Sequence, residues 1–312
     1  MHIKTKRLRF LLILSLFLSI SIILVACISD FREDRIIQVV SRDSSSGTRK
    51  GLEQALYGEE KVSLPKGDSY EVVASEAAVI SSVRSNPQAI GYEGLGFINT
   101  NYRGVNKLSV DGVLPDEDSL RDNSYKLSRP LSVVYRLDKI NANRAAKAFL
   151  DFINSKDGSD IVKQQKYVVD DTLREPYQYV PDLSGAIKIA GSTTVEPLIQ
   201  RLAVAFKDIQ PNINMDNIHA TGSGASISAM QDNTHDFGMY SAEISDSLIE
   251  EMQSGDGDYI VEKSTIALDA IVIIVHATNY ISNISVEQLK HLYSSNSGLT
   301  FNNWKELINY GG

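Results

Sequence analysis

The sequence predicts an α/β fold, in which helices cover the faces of β-sheets. The main observation is that short apolar runs typical of strands alternate with segments whose apolar residues recur at helical spacing. Three pairs show this order: residues 36–40 followed by 51–57, residues 187–190 followed by 195–206, and residues 270–275 followed by 286–292.

The helical period is clearest after Thr194. Polar Gln200, Arg201 and Asp208 lie opposite an apolar face, which should therefore pack on a sheet. That face consists of Val195, Leu198, Ile199, Leu202 and Phe206.

The periodicity stops over residues 169–185. This stretch contains Asp170, Asp171, Pro176, Pro181 and Gly185 within a short distance, a composition typical of a connection. We therefore expect a linker or domain boundary there.

The amino-terminal 27 residues have the layout of a secretory signal. Lys4, Lys6, Arg7 and Arg9 precede an apolar run over residues 10–23, which is short for a membrane-spanning helix of about 20 residues. Cys27, the single cysteine, follows Ala26, where a bacterial lipoprotein places its lipidated thiol. We expect cleavage and a lipid anchor at Cys27; the alternative is a chance cysteine beside an uncleaved anchor.

Charge and composition exclude several classes of partner. Loss of residues 1–27 changes the net charge of the chain from −8 to −12. Because nucleic-acid binding requires clustered Lys and Arg, we do not expect a nucleic-acid partner. The five histidines are scattered singly, so we expect no metal site and no cofactor. The remaining length of about 285 residues is enough for two domains.

Three turns rich in Gly, Ser and Thr are the candidate binding elements. They cover residues 41–49 (SRDSSSGTR), 190–194 (AGSTT) and 220–226 (ATGSGAS), and each precedes a predicted helix. Free backbone N–H groups and the helix dipole hold anions at such places, and hydroxyls add neutral donors. Arg42 would supply a charge-assisted contact. Together the turns suit a small tetrahedral oxyanion.

Two other interpretations of these turns are possible. Ser and Thr are favoured as helix N-caps for the same geometric reason, and Arg42 could form an ordinary salt bridge. Neither GxxxxGK[ST] nor GxGxxG is present, so nucleotide binding is disfavoured.

These segments resemble the PstS family, the phosphate receptors of ABC-type importers. The counterparts of its motifs are residues 191–195 (GSTTV), 222–226 (GSGAS), 42–49 (RDSSSGTR) and 90–96 (IGYEGLG), and residues 148–167 are similar to its closing helices. The resemblance covers nearly the whole mature chain. It implies a periplasmic-binding-protein-like fold of type II, with two lobes and a ligand cleft between them.

The order of the segments is reversed relative to the usual family order. Residues 36–168 match the half that normally ends the protein, and residues 185–312 match the half that normally begins it. We therefore expect a circular permutation, which domains tolerate when their termini are close and exposed. The alternative is a truncated product spanning two tandem receptors.

The permuted resemblance implies specific lobes and contacts. Residues 30–128 plus 266–312 would form a split lobe, and residues 129–265 a continuous lobe, with crossovers near residues 129–131 and 267–269. Phosphate would be bound from the two sides by Arg42, Ser46, Gly47 and Thr48 of the split lobe and by Thr193, Thr194 and Ser223 of the continuous lobe.

Ser241 departs from the pattern of some family members. They place an Asp on the anion there, which accepts a proton from phosphate and helps to reject sulfate. A serine can also accept from a P–OH group, so Ser241 is an expected phosphate contact with less certain selectivity. Asp43 and Asp269 could compensate, although Asp43 could equally cap its turn and Asp269 could lie outside the site.

The expected function is capture of inorganic phosphate for the permease of an ABC importer, by a monomer anchored on the extracytoplasmic face of the cell membrane. A phosphoester hydrolase with Ser46 or Ser192 as nucleophile is the alternative, but no neighbouring base is apparent in the sequence. A surface sensor or adhesion module on the same fold is a third possibility.

Overall fold

The computed structural model describes residues 30–58, 60, 62–101, 103–169, 172–295 and 301–310. The predicted signal segment and the lipidation site Cys27 lie outside these residues. No helix in the described ranges is long and apolar enough to span a bilayer.

The described strands and helices alternate along most of the chain, as the apolar pattern predicts. The strands are β1 (Gln38–Arg42), β2 (Tyr70–Val73), β3 (Ala89–Gly94), β4 (Val105–Lys107), β5 (Ser109–Val110), β6 (Ser128–Arg136), β7 (Gly185–Gly191), β8 (Ile213–Ala220), β9 (Phe237–Tyr240), β10 (Val261–His276) and β11 (Asn283–Ile284). The helices are α1 (Gly47–Tyr57), α2 (Glu76–Ser85), α3 (Leu95–Asn101), α4 (Glu117–Arg121), α5 (Leu137–Ala142), α6 (Arg144–Ile153), α7 (Lys156–Gln164), α8 (Glu196–Ile209), α9 (Gly224–Gln231), α10 (Asp246–Met252), α11 (Val286–Tyr293) and α12 (Trp304–Ile308).

Strand β10 joins the two parts of the main sheet, whose strand order is β2-β1-β3-β10-β6-β9-β7-β8. Its first part pairs with β6 from Val261 to Ala270, and its last part pairs with β3 and β4 from Ile271 to His276, antiparallel throughout. The predicted strand over residues 270–275 is therefore only the second part of β10. The strand is longer than predicted because it continues from one half of the molecule into the other.

The buried apolar residues form separate cores on the two sides of this junction, as expected for a two-lobed fold. One core draws on residues 31–127, Val168 and residues 270–307. Two adjoining clusters on the other side draw on residues 131–267. We propose that the lobe boundaries are those expected from the sequence, residues 30–128 plus 266–312 for the split lobe and 129–265 for the continuous lobe. Near the crossovers Val168 packs in the split-lobe core, and Ile266 and Ala267 pack in the continuous-lobe core.

Helix α8 confirms the apolar face predicted after Thr194. Leu198, Ile199, Leu202 and Phe206 are buried on this helix, and Val195 is buried immediately before it. The buried face packs in the continuous-lobe core, as hydrophobic periodicity requires.

The carboxy-terminal segment lies against the beginning of β1. Asn303 forms an isolated antiparallel bridge with Ile36, and the amides of Trp304 and Lys305 donate to the carbonyls of Arg35 and Glu33. The two segments thus lie close together in space although about 270 positions separate them, which is compatible with the circular permutation expected from the sequence.

Candidate functional site

The three Gly/Ser/Thr turns meet at the junction of the lobes, each at the end of a strand of the main sheet. Gly47, the first residue of α1, packs so closely on the opposite lobe that a Cβ there would lie 2.0 Å from Ser241 Oγ and 2.3 Å from Ser223 Oγ. A Cβ on Gly222 would lie 2.6 Å from the Ser45 carbonyl oxygen. The first and third turns are therefore in direct contact.

Glycine is required by backbone geometry in two of these turns. Gly191 has φ +132° and Gly222 has φ +116°, values that side-chain-bearing residues rarely adopt. Gly191 also has no room for a Cβ, which would lie 2.3 Å from the carbonyl oxygen of Met239 on the neighbouring strand β9.

Three serine hydroxyls of the continuous lobe form a buried cluster. Ser241 Oγ lies 2.8 Å from Ser192 Oγ and 3.4 Å from Ser223 Oγ, and all three side chains are fully buried. Each hydroxyl can both donate and accept, so the cluster can reorient its hydrogen bonds toward an oxyanion.

A pair of threonines connects the two lobes. Thr48 Oγ1 on α1 lies 2.9 Å from Thr194 Oγ1, and Thr194 Oγ1 donates to Glu76 Oε1 at 3.1 Å. Thr193 is half-buried in the same turn. Both Thr48 and Glu76 belong to the split lobe, so Thr194 is held between two elements of the opposite lobe.

Helix capping accounts for only one of the three turns. Ser46 is the N-cap of α1 and accepts from the Arg49 amide at 3.4 Å. Val195 and Ser223, at the N-cap positions of α8 and α9, form no side-chain capping hydrogen bond. The hydroxyl of Ser223 is therefore not used for capping.

Arg42 ends strand β1 and is almost fully buried beside this site. Its Nη2 donates to the Ala74 carbonyl, and its Nη1 lies 3.7 Å from Glu76 Oε1 and 3.7 Å from Glu93 Oε1. Its Nε and Nη1 have no hydrogen-bond partner among the described residues. A buried guanidinium with unsatisfied donors is costly alone and suits an anion.

Two aspartates that could have compensated for Ser241 are engaged elsewhere. Asp43 Oδ1 accepts from the amide of Ser45 at 2.8 Å and from its hydroxyl at 2.5 Å; burial opposes ionisation, but these bonds lower the pKa of Asp43. Asp269 bonds Arg129 at 2.9 Å and accepts from the amide of Leu95 at 3.1 Å.

A pocket of about 530 Å³ lies beside the threonine pair. Its lining includes Glu76 and Gly96 on one side and Thr193, Thr194 and Arg201 on the other. Thr193 thus lies at the edge of the site, whereas the three serines are buried within it.

The sequence-predicted residues thus fall into one region. The structure brings Gly47, Thr48, Thr194, Ser223 and Ser241 into contact across the lobe junction and places Arg42 beside Glu76, which bonds Thr194. Ser46 acts as a helix cap at the edge of this group.

Three polar groups of the site were missed as contacts: Ser192, Glu76 and Glu93. The signal for Glu93 was visible, since a carboxylate stood inside the apolar segment 90–96. Among the described residues, no group of three His, Cys, Asp or Glu side chains could hold a metal ion.

Comparison with known proteins identifies relatives over most of the chain. The PBP superfamily domain matches residues 28–157 and 178–312. "Phosphate-binding protein PstS 2" of Streptococcus pneumoniae is 34% identical over 263 residues, which are 83% of this chain and 84% of that protein. The protein of the same name in Streptococcus agalactiae is 29% identical over 293 residues, 91% of this chain and 93% of that protein.

A solved structure agrees with these sequence relatives. The crystal structure of the phosphate-binding protein of a phosphate ABC transporter from Streptococcus pneumoniae TIGR4 matches with a TM-score of 0.67 at 29% identity, covering 87% of this chain and 99% of that one.

The sequence alignments also bear on the order of the halves. Each alignment is collinear and is long enough to include both halves of this chain, so these relatives carry the halves in the same order. A shared order argues against the alternative that this chain joins parts of two tandem receptors.

Proposed function

This chain belongs to the PBP superfamily and, within it, to the PstS phosphate-binding proteins, and from this premise we propose that it captures inorganic phosphate for an ABC-type importer. The observation that carries the proposal is the convergence of the three turns: hydroxyls from both lobes meet beside Arg42 at one junction. Neutral donors around one buried cation are suited to a small oxyanion taken out of water.

Hydrogen bonds alone supply enough binding free energy, without a metal or a covalent bond. About eight hydrogen bonds at a net ~1.5 kcal/mol each would supply ~12 kcal/mol, and a micromolar complex requires about 8 kcal/mol. The difference is available for the cost of ordering the ligand and the lobes.

We assign the phosphate contacts to both lobes. Arg42, Ser46, Gly47 and Thr48 would act from the split lobe and Thr193, Thr194, Ser223 and Ser241 from the continuous lobe. The antiparallel ladder of β6 and β10, which pairs Arg129 with Asp269, would serve as the hinge about which the lobes open and close.

Delivery to a permease requires a location outside the cytoplasm. The proposed route is export by the signal over residues 1–27, lipidation of Cys27, and presentation of phosphate to the permease by a membrane-anchored monomer. A Cys27→Ser variant should leave the membrane fraction and lose incorporation of labelled palmitate, whereas retention in that fraction with wild-type labelling would contradict the anchor.

The contacts of the serines give no support to the hydrolase alternative. Ser46 accepts from a backbone amide, and Ser192 bonds the hydroxyl of Ser241. Neither contact is a general base that could activate a nucleophile.

Isothermal titration of the full chain in detergent tests the proposal. Phosphate should release heat with a stoichiometry of about one, and the titration should then be repeated in excess sulfate. Because Ser241 replaces a carboxylate acceptor, we expect sulfate to weaken phosphate binding measurably. No heat with phosphate would refute the proposed function, and full insensitivity to sulfate would refute the assignment of weaker selectivity to Ser241.

A further inference from the structure

Glu93 is a buried carboxylate of the site that is not among the proposed phosphate contacts. It lies on β3, fully buried, with Oε1 3.7 Å from Nη1 of Arg42 on the adjacent strand β1. Neither Glu93 oxygen has a hydrogen-bond partner among the described residues. An unsatisfied buried carboxylate is costly, so its charge state must depend strongly on its neighbours.

Three charged groups act electrostatically on Glu93: Glu76 at the start of α2, Arg42 on β1 and Arg129 on β6. Arg129 is in turn paired with Asp269 of β10 at 2.9 Å. Arg129 is thus neutralised by Asp269, and Arg42 is shared by two carboxylates. The phenol of Tyr92, beside Glu93 in the chain, bonds the hydroxyl of Ser41 and the amide of Arg42.

We propose that Glu93 competes with bound phosphate for the charge of Arg42, so that protonation of Glu93 strengthens phosphate binding. The proposal rests on the phosphate site described above and adds an affinity-determining residue to it. An ionised Glu93 neutralises Arg42 and repels the anion, whereas a neutral Glu93 leaves the charge of Arg42 available.

The electrostatics of the cluster place this titration somewhat above neutral pH. Burial, followed by the charge of Glu76, raises the pKa of Glu93 to about 8, against the opposing effects of Arg42 and Arg129. Bound phosphate adds negative charge nearby and raises the pKa of Glu93 further, so binding takes up protons. By linkage, phosphate affinity falls as Glu93 ionises above about pH 8.

The test compares phosphate dissociation constants of the wild-type full chain and Glu93→Gln at about pH 7 and about pH 9. The ratio of the wild-type Kd to the variant Kd should rise over this interval by up to about tenfold, because a group with a pKa of about 8 is mostly protonated at pH 7 and mostly ionised at pH 9. Phosphate itself titrates in both proteins equally, so the ratio removes its contribution. Glu93→Leu, a second neutral variant of similar volume, should give the same rise.

Glu117→Gln, which removes one exposed carboxylate on α4, is the control variant. The ratio of the wild-type Kd to the Kd of this variant should stay near one at both pH values. A ratio for Glu93→Gln that stays constant from pH 7 to pH 9 would overturn the proposal while leaving the phosphate site intact. Wild-type protein that binds no phosphate at pH 7 would overturn the site as well.

A measurement on the wild-type protein gives independent evidence. In protein with ¹³C-labelled glutamate carboxyls, the NMR resonance of Glu93 is the one that titrates near pH 8 and is absent from Glu93→Gln. The midpoint of its titration should move to higher pH when phosphate is added. An unshifted titration would count against the proposal.

Discussion

The hydroxyl oxygens of Thr48 and Thr194 lie 2.9 Å apart, although 146 positions separate the two residues in the chain. Thr48 belongs to the first helix of the split lobe, and Thr194 to the turn before α8 in the continuous lobe. This contact joins the lobes and lies among the groups that we assign to phosphate.

Thr48→Val removes the hydroxyl while keeping the shape of the side chain. A neutral hydrogen bond contributes a net ~1 kcal/mol, so the phosphate Kd should rise about fivefold. Titration calorimetry measures this change, with Thr234→Val, an exposed threonine bonded to His235, as the matched control. The double variant Thr48→Val with Thr194→Val should lose less binding free energy than the sum of the losses in the two single variants. Strictly additive losses would show that the two hydroxyls act independently.

Gly47→Ala should weaken phosphate binding strongly, because the new Cβ would displace two hydroxyls of the site. It would lie 2.0 Å from Ser241 Oγ and 2.3 Å from Ser223 Oγ, so both hydroxyls must rotate away or the lobes must separate. Calorimetry should detect a much higher phosphate Kd, and small-angle scattering measures whether the radius of gyration also increases.

Gly58→Ala at the other end of α1 is the matched control for Gly47→Ala. A Cβ there meets no atom of the described residues within 4 Å, but φ is +65° with ψ −128°, so the variant should lose about 1–3 kcal/mol of stability and keep its phosphate affinity. Wild-type affinity in Gly47→Ala would contradict the placement of Gly47 in the site.

Arg42→Lys keeps the positive charge but loses the planar guanidinium with its several donors. We expect phosphate affinity to fall by about tenfold or more, because an ammonium cannot reproduce both the Ala74 contact and the contact with the anion. Arg121→Lys, on an exposed helix pair with Glu117, should leave the affinity unchanged. Equal affinities of Arg42→Lys and wild type would remove Arg42 from the site.

Glu93 should also make the stability of the fold depend on pH. Because folding raises the pKa of Glu93 from 4.5 to about 8, the folded protein holds a proton there that the unfolded chain releases. This contribution to stability is complete below about pH 4.5 and is lost as the pH rises through about 8. The melting temperature of Glu93→Gln relative to wild type should therefore increase between about pH 5 and pH 9.

Thermal melting followed by circular dichroism measures this difference, and each kcal/mol corresponds to about 2–4 °C for a protein of this size. Glu117→Gln should show no such trend. A constant difference between wild type and Glu93→Gln across the interval would mean that Glu93 has the same proton affinity in the folded and unfolded states.

Much of the fold could be predicted because the signals were local. The helical period after Thr194 located α8 and its buried face, and the turn chemistry located three sites at which helices begin. The extent of β10 could not be read in the same way, since its length depends on pairing with β6 in one lobe and with β3 in the other.

The same distinction between local and long-range signals applies to the residues of the candidate site. Arg42, Gly47, Thr194 and Ser223 could be predicted because each stands in a turn whose residue types suit an anion. Glu76 was missed because its importance comes from contacts with Arg42 and Thr194, neither of which is near it in sequence.

By itself the sequence determined the α/β pattern and the glycines and hydroxyls of the three turns, because these depend on residues within a few positions of one another. Only the tertiary structure decided that Thr48 meets Thr194 and that Arg42 is shared by Glu76 and Glu93. The physical reason is that hydrogen bonding across the lobes and the energy of a buried charge depend on which elements pack together.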